Sequence, residues 1–221
     1  MDIFIDQFFN IDIMRPSVPL MISGLWMTLK LCSAVILLGL IGGLFVALGN
    51  MSERRWLRWI SIAYTDLFRA LPPLVLLIFI YAGLPFAGVN ISPFYAVVIA
   101  FLLNNSSYYA EVYRAGLISV AKGQWEAAQS TGLSPVQTLA HVVLPQAVRN
   151  VLPDLLSNTV EVVKLTSLAS VISLSELLYN AGMARSVTYN ASPLVLAALI
   201  YLVLLWPLVR LVSHFQRRLA A

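Results

Sequence analysis

The chain has 221 residues, of which 60% are hydrophobic and 11% are charged, and its formal net charge is +4. A soluble domain carries about 25% charged residues, so this composition argues against a cytosolic enzyme. The Lys and Arg residues are scattered or flank apolar runs, which argues against a nucleic-acid partner. Cys32 is the sole cysteine, so neither a disulfide framework nor a thiolate metal cluster is expected. The composition predicts a membrane domain.

The first 17 residues form a segment of their own. They contain Asp2, Asp6 and Asp12 but no basic n-region, so they do not read as a signal peptide. Apolar and acidic residues are mixed here, as in short helices that lie at a membrane surface. We therefore expect residues 1–17 to be a short amphipathic segment and residues 18–215 to be the membrane domain.

Five apolar stretches follow, at residues 18–49, 59–84, 94–117, 151–178 and 194–212. A spanning helix needs about 20 residues and a barrel strand about 10, so these lengths predict helices. Ser92-Pro93 and Ser192-Pro193 each place an N-cap hydroxyl before a proline that suits the first helical turn. The predicted fold class is an all-α integral membrane protein with five transmembrane helices.

Basic residues give the orientation. They lie in the 51–58 loop and near the C-terminus, whereas the short connections at 85–93 and 179–193, which we read as loops, contain only Arg185. Cytoplasmic loops carry the excess of Lys and Arg. We therefore expect the N-terminus outside, the 51–58 loop inside, and residues 216–221 as a cytoplasmic tail. Termini on opposite sides of the membrane require an odd number of spans, and five spans meet this requirement.

A long polar segment at about 119–147 joins the third and fourth spans on the cytoplasmic side. Residues 125–129 are good helix formers, and Gly132 supplies a stop. Ser134-Pro135 then starts a second helix, in which Gln137 completes a capping box, and Pro145 is predicted to end it. The segment thus predicts two short helices, either resting on lipid as a connector or presented to a partner.

The spacing of Glu126-Ala127-Ala128, Gly132 and Leu144-Pro145 resembles the EAA loop of permease subunits of ABC importers. The runs at 109–117, 123–124, 144–147 and 164–168 resemble, more narrowly, the polar amino-acid uptake branch, which includes histidine, glutamine, glutamate and arginine permeases. The similarity extends from about residue 20 to 215. It implies the type I importer permease (MetI-like) fold in a bacterial inner membrane and a function in amino-acid import.

The resemblance also implies partners. The two short helices would be coupling helices that contact a separate ATPase through Glu126, Ala127, Ala128, Gly132, Leu144 and Pro145. ATP and Mg would be bound by that ATPase, and we expect no cofactor, metal or catalytic residue on this chain. An extracytoplasmic amino-acid-binding protein, a second permease copy or a similar permease, and membrane lipid complete the expected partners. We expect Glu126 in the first helical turn, where it either caps the helix or contacts the ATPase.

Polar residues at membrane depth are costly and mark candidate transport sites. In the fourth span Asn158, Glu161 and Leu165 share a helical face, and Lys164 can pair with Glu161, so a purely structural ion pair is the alternative. Hydroxyls at 166–167 can satisfy a broken helix, a common feature of transport sites. The third span also has polar residues on one helical face. They either line the path or pack against a neighbouring helix, and Glu111 is expected to pair with Arg114. The predicted path residues are Asn104, Ser107, Tyr108, Glu111, Asn158, Glu161, Lys164, Leu165, Thr166 and Ser167.

The amino-acid branch often carries Asp at the position of Leu165, so its absence disfavours a cationic substrate. Two other classes of function remain as alternatives. An intramembrane hydrolase would need a nucleophile and a base at membrane depth, but the sequence contains no Gly-x-Ser-x-Gly motif and no His-x-x-x-His motif. A secondary transporter or channel does not couple to an ATPase, so this class gives no role to the long cytoplasmic segment. The sequence also contains no Walker A loop.

Overall fold

The computed structural model describes residues 2–220, with the side chains of residues 2–217. Met1 and Ala221, the outer ends of the predicted N-terminal segment and C-terminal tail, lie outside this range. Within it, the regular elements are all helical. The α-helices are α1 (Asp2–Phe9), α2 (Ile11–Asn50), α3 (Arg55–Ala70), α4 (Pro73–Gly83), α5 (Pro93–Ser119), α6 (Lys122–Ser130), α7 (Pro135–Thr138), α8 (Leu144–Leu165), α9 (Leu177–Thr188) and α10 (Ser192–Ala220).

Three helical stretches are long and apolar enough to cross a membrane: Asp2–Asn50, Pro135–Ile172 and Ser192–Arg217. The broken pair Arg55–Ala70 and Pro73–Ala87 passes the same test if it is counted as one span. Helix α5 has 27 residues, which is long enough, but its polar middle lowers its hydropathy below that of a span. The all-α class is confirmed, and the number of five spans stays a prediction.

The chain forms two compact units. The first contains residues 2–36, Pro72–Phe101 and Val160–Arg210, and the second contains Leu37–Leu71, Leu102–Thr159 and residues 211–220. Helices α2, α5, α8 and α10 each contribute to both units. Each unit has its own packing.

The first unit is packed around the start of α9. Met21, Leu177 and Ala181 are fully buried in one cluster. A Cβ atom on Gly24 would lie 2.9 Å from the Leu177 Cα, so α2 and α9 meet backbone to backbone. The Thr28 hydroxyl accepts a hydrogen bond from the Leu177 amide at 3.2 Å. Small residues on α2 therefore fix the position of α9.

The second unit depends on a close contact between α2 and α5. Gly39 and Gly43 are four residues apart, the spacing that lets two membrane helices approach closely. A Cβ atom on Gly43 would lie only 2.5 Å from the Tyr109 Cβ, and one on Gly39 would lie 3.2 Å from the Tyr109 ring. Tyr109 is fully buried and its hydroxyl is 3.0 Å from that of Thr159. The sequence analysis did not identify this contact.

Prolines and one acid set the helix boundaries. Helix α3 ends at Ala70 and α4 begins at Pro73, because a residue before proline disfavours helical backbone. Helix α2 begins at Ile11, which is earlier than the predicted start of the first span. The prediction that 179–193 is a loop is wrong, since α9 runs to Thr188. The reason is a buried helix cap at Glu176, described below.

Candidate functional site

The segment between α5 and α8 contains the two predicted short helices, α6 and α7. Gly132 has φ +86, a left-handed conformation that favours glycine. The Ser134 side chain accepts from the Gln137 amide at 3.3 Å, and the Gln137 side chain accepts from the Ser134 amide at 2.9 Å. The predicted capping box is confirmed, and local sequence chemistry alone accounts for this turn.

The motif Glu126-Ala127-Ala128 is divided between surface and interior. Ala128 is buried, whereas Glu126 and Ala127 are exposed. Helix α6 begins at Lys122, so Glu126 lies beyond its first turn, and the expected position at the helix end is wrong. Because the positive end of a helix acts within its first turn, Glu126 does not cap α6. The other hypothesis, that the Glu126 carboxylate contacts a partner subunit, therefore remains.

The prediction that Pro145 ends the second helix is also wrong. The backbone passes through a π turn at Leu139–Val143 and continues directly into α8. A π turn widens the helix just before the proline, so the missing amide and the ring are accommodated. The Gln146 side-chain amide donates to the Val142 carbonyl at 2.8 Å and satisfies an acceptor in this wide turn.

The segment has one buried apolar side and one exposed side. Val120, Val143 and Ala147 form its core, against which Leu117 and Trp125 pack. In contrast, Val136 is 76% exposed, and Leu144 and Pro145 are also exposed. A helix pair that is anchored on one side and apolar on the other can insert into a groove on a partner.

The polar residues of α5 are mostly used for packing. Asn104 and Ser107 are buried. The Asn104 side-chain amide donates to the Phe68 carbonyl at 2.8 Å, and the Ser107 hydroxyl donates to the Asn104 carbonyl at 2.6 Å. Tyr108 is partly exposed. The Asn104 bond ties α5 to α3, the Ser107 bond lies within α5, and little of either side chain is accessible.

Glu111 is the centre of a charged cluster in the second unit. Arg114 donates to its carboxylate through Nε at 2.9 Å and Nη2 at 2.8 Å, as predicted from the spacing. Arg69 of α3 lies 3.6 Å from the same carboxylate, and its guanidinium lies 5.4 Å from the centre of the Tyr108 ring. The cluster lines a cleft of about 390 Å³. Glu111 thus joins α3 to the helix that leads into α6.

The charged residues of α8 are exposed. Glu161 and Lys164 form an ion pair, and their side chains are 60% and 50% exposed. Lys164 and Ser167 line a cavity of about 520 Å³, whose other walls include Leu178, Leu194 and Tyr201. A charged pair cannot face hydrocarbon without a large cost, so this surface must face water or another protein.

At the predicted break the fourth span changes from α-helix to 3-10 helix, and residues Pro135–Ile172 remain one continuous helical stretch. Helix α8 ends at Leu165 and a 3-10 helix follows at Thr166–Ile172. The hydroxyl of Thr166, which is buried, donates to the Val163 carbonyl, and that of Ser167 donates to the Lys164 carbonyl, both at 2.7 Å. Each hydroxyl thus gives the carbonyl three residues earlier a hydrogen bond where the helix changes from α to 3-10 geometry.

Two further predicted path residues lie on α8. Leu165, the last residue of α8, is partly buried. Asn158 is partly exposed, and its side chain lies beside the hydroxyl of the buried Tyr109. Its side-chain nitrogen has no partner of good hydrogen-bond geometry among the described residues, so its role in the path stays a prediction.

Glu176 is a residue that the sequence analysis missed. It is fully buried, and its carboxylate accepts from the amides of Leu178 at 2.9 Å and Tyr179 at 2.7 Å. The Tyr201 hydroxyl donates to it at 3.1 Å. Glutamate is not a preferred N-cap residue, which explains why it gave no signal. The apolar spacing of Leu177, Ala181 and Ala184 does predict helix α9.

Comparison with known proteins gives consistent matches. The family model described as "Binding-protein-dependent transport system inner membrane component" matches residues 39–221. The probable amino-acid ABC transporter permease protein YckA of Bacillus subtilis (strain 168) is 36% identical over 96% of this chain and 92% of its own length. The glutamate transport system permease protein GluD of Corynebacterium glutamicum is 40% identical over 90% of this chain and 74% of its own.

Solved structures are similar over the same range. A chain of an amino acid ABC transporter crystallised with histidines superposes with a TM-score of 0.87 at 39% identity, over 93% of this chain and 96% of that one. A chain of the MetNI methionine ABC transporter in an inward-facing conformation superposes with a TM-score of 0.75 at 18% identity, over 92% and 97%. The second likeness shows a shared fold, that of type I importer permeases.

Proposed function

The chain belongs to the family of binding-protein-dependent transport system inner membrane components, and from this premise we propose that it forms the membrane path of an ATP-driven amino-acid importer. The observation that carries the proposal is the segment of residues 122–145, which bears the EAA spacing, has a capping box at the start of α7 and exposes Val136. Relatives named as amino-acid permeases support the substrate class. In this reading the chain is a transport subunit without catalytic residues of its own.

The coupling step follows from the shape of this segment. Glu126, Ala127, Gly132, Leu144 and Pro145 are exposed and would contact a separate ATPase subunit. Ala128 is buried and would hold the two short helices against the rest of the second unit. ATP and Mg would be bound by the ATPase. Movement of α6 and α7 would then be transmitted through α5 and α8, which are continuous with them in sequence.

The topology of the proposal has five spans. Helix α5 would be one of them, because the Asn104 and Ser107 side chains in its middle are buried and hydrogen-bonded rather than exposed to lipid. The N-terminus would lie outside and the C-terminus in the cytoplasm of a bacterial inner membrane, following the basic residues of the 51–58 loop. Helix α1 would lie on the outer surface.

The path itself would run along the exposed polar face of α8. Glu161 and Lys164 present a negative and a positive group side by side, and a zwitterionic amino acid carries the complementary pair. Its carboxylate would contact Lys164 and its ammonium group Glu161, next to the cavity that Lys164 and Ser167 line. A second permease copy or a similar permease would close this face, and an extracytoplasmic binding protein would deliver the substrate. Leu165 in place of a carboxylate favours a neutral or acidic substrate.

The direct test is reconstitution. The permease would be co-purified with its ATPase and binding protein and placed in proteoliposomes, and uptake of each labelled amino acid would be measured. We expect uptake of at least one amino acid only when ATP is on the ATPase side and the binding protein is on the other. Uptake that persists without the ATPase would contradict the proposal and favour a secondary transporter.

A further inference from the structure

Helix α3 exposes an apolar stripe that begins with two tryptophans. Trp56 is 61% exposed and Trp59 is 67% exposed, and Ile60 and Leu67 continue the same face. In a membrane protein such a face contacts lipid, and tryptophan prefers the level of the headgroups. The N-terminal part of α3 therefore lies where acyl chains give way to headgroups.

The rotation of α3 about its axis is fixed by its opposite face. Ser61 and Thr65 are buried, and the Thr65 hydroxyl donates to the Ser61 carbonyl at 2.9 Å. The Asn50 side chain at the end of α2 donates to Thr65 at 3.3 Å. Because this polar face is held against the protein, the tryptophan stripe cannot turn inward.

Three arginines lie at the same end of the helix as the tryptophans. Arg54, Arg55 and Arg58 are exposed and form no ion pair within the described part of the chain. The first turn contains no acid, and no side chain caps it. Glu53 is the one acid between residues 51 and 58. By contrast, Arg69 at the other end of α3 is matched by Glu111.

We propose that the N-terminal turn of α3 binds the headgroup of an anionic phospholipid. Guanidinium groups bind phosphate through two parallel hydrogen bonds, and the tryptophan stripe places them at the depth of that phosphate. The lipid supplies the negative charge that the protein lacks at this end of the helix. The site goes beyond the proposed transport function and does not depend on the identity of the transported solute.

Bound lipid would also affect coupling. Helix α3 contacts the Glu111–Arg114 pair through Arg69, and α5 leads directly into α6. Holding the first turn of α3 in the headgroup layer therefore holds the helix that positions Arg69. We expect coupled uptake to rise with the fraction of anionic lipid in the bilayer.

The test measures lipid retention before transport. The permease–ATPase complex would be extracted in mild detergent with equal amounts of phosphatidylglycerol and phosphatidylcholine, and retained lipids would be counted by native mass spectrometry. We expect wild type to retain phosphatidylglycerol preferentially. The triple variant R54Q/R55Q/R58Q should lose that preference, by about fivefold for each arginine that contacts phosphate. The control R185Q, which removes an exposed arginine from α9, should keep it.

Three outcomes decide the proposal. If the triple glutamine variant does not assemble, R54K/R55K/R58K keeps the charge and should retain phosphatidylglycerol more weakly than wild type. Equal preferential retention by wild type and the triple glutamine variant would overturn the lipid site, as would equal retention by wild type and the lysine variant where the glutamine variant does not assemble. Unchanged retention with reduced co-purification of the ATPase would assign the arginines to a protein contact instead. Retention is measured without any substrate, so its failure is distinct from a failure of amino-acid uptake.

Discussion

Helices α5 and α8 both carry polar residues in apolar surroundings, but the structure uses them in opposite ways. Asn104 and Ser107 of α5 are buried and donate to backbone carbonyls. Glu161 and Lys164 of α8 are exposed and pair with each other. A short uncharged side chain can be satisfied by a single carbonyl, whereas a charged pair needs water or a polar partner. Of these four residues, the accessible charged pair on α8 is the candidate for the path, and the buried amide and hydroxyl on α5 serve packing.

The largest expected effect is on the charged pair. Glu161→Gln or Lys164→Met removes a charge-assisted contact to substrate, and such contacts are worth about 1.5–3 kcal/mol. We expect initial uptake rates at low substrate to fall by about 10- to 100-fold, while assembly with the ATPase is unchanged. Radiolabelled uptake and gel filtration of the complex would measure the two quantities.

The double variant Glu161→Gln with Lys164→Met separates a path from a structural pair. Both residues are then neutral, so neither leaves an unpaired charge. If the pair is part of the path, uptake stays low. Restoration of normal uptake and selectivity in the double variant would assign the pair to structure alone, and α8 would then resemble α5.

A substitution at Gly132, in the turn between α6 and α7, tests coupling to the ATPase separately from the substrate path. Gly132 has positive φ, and a β-branched residue is strongly disfavoured there. Gly132→Val should displace α7, so that ATP hydrolysis continues while uptake falls several-fold. Gly132→Asn is the matched control, because asparagine tolerates this backbone, and it should keep most of the coupling. Equal uptake by all three proteins would contradict the role of the turn.

On α5 the expected effect is on stability rather than transport. Asn104→Ala removes the donor from the partly buried Phe68 carbonyl, at a cost of about 1–3 kcal/mol. We expect a lower temperature of half-inactivation in detergent, with near-normal uptake per molecule of folded protein. A large loss of uptake without any loss of thermal stability would move Asn104 from packing to the path.

The smallest expected effect is a change in substrate selectivity on substitution of Leu165. Leu165→Asp adds a carboxylate one turn beyond Glu161 and should reduce uptake of a neutral or acidic amino acid by a few-fold, while admitting a cationic one. Leu165→Asn has a similar size without the charge and serves as the control. A competition assay with unlabelled arginine, glutamine and glutamate would detect the shift. Identical competition profiles in the two variants would mean that position 165 does not face the substrate.

The features that the sequence predicted correctly depend on residues that are close together in the chain. Ser134 and Gln137 specify a turn by themselves, and the spacing of Glu161 and Lys164 specifies an ion pair. The failures came from contacts between distant residues. Pro145 continues the helix because a π turn precedes it, and Glu176 caps α9 inside the first unit, where Tyr201 reaches it from α10. The Gly43–Tyr109 contact likewise requires two distant helices to be brought together.

The most direct test of the account compares two serines, one on each helix. Ser167 of the 3-10 segment after α8 lines the cavity, and Ser107 of α5 is fully buried. Each would be replaced by cysteine in a Cys32→Ser background, and the rate of modification by a small charged thiol reagent would be measured with and without the transported amino acid. We expect Ser167→Cys to react and to be protected by substrate, and Ser107→Cys not to react. Substrate-sensitive labelling at 107, or none at 167, would contradict the account.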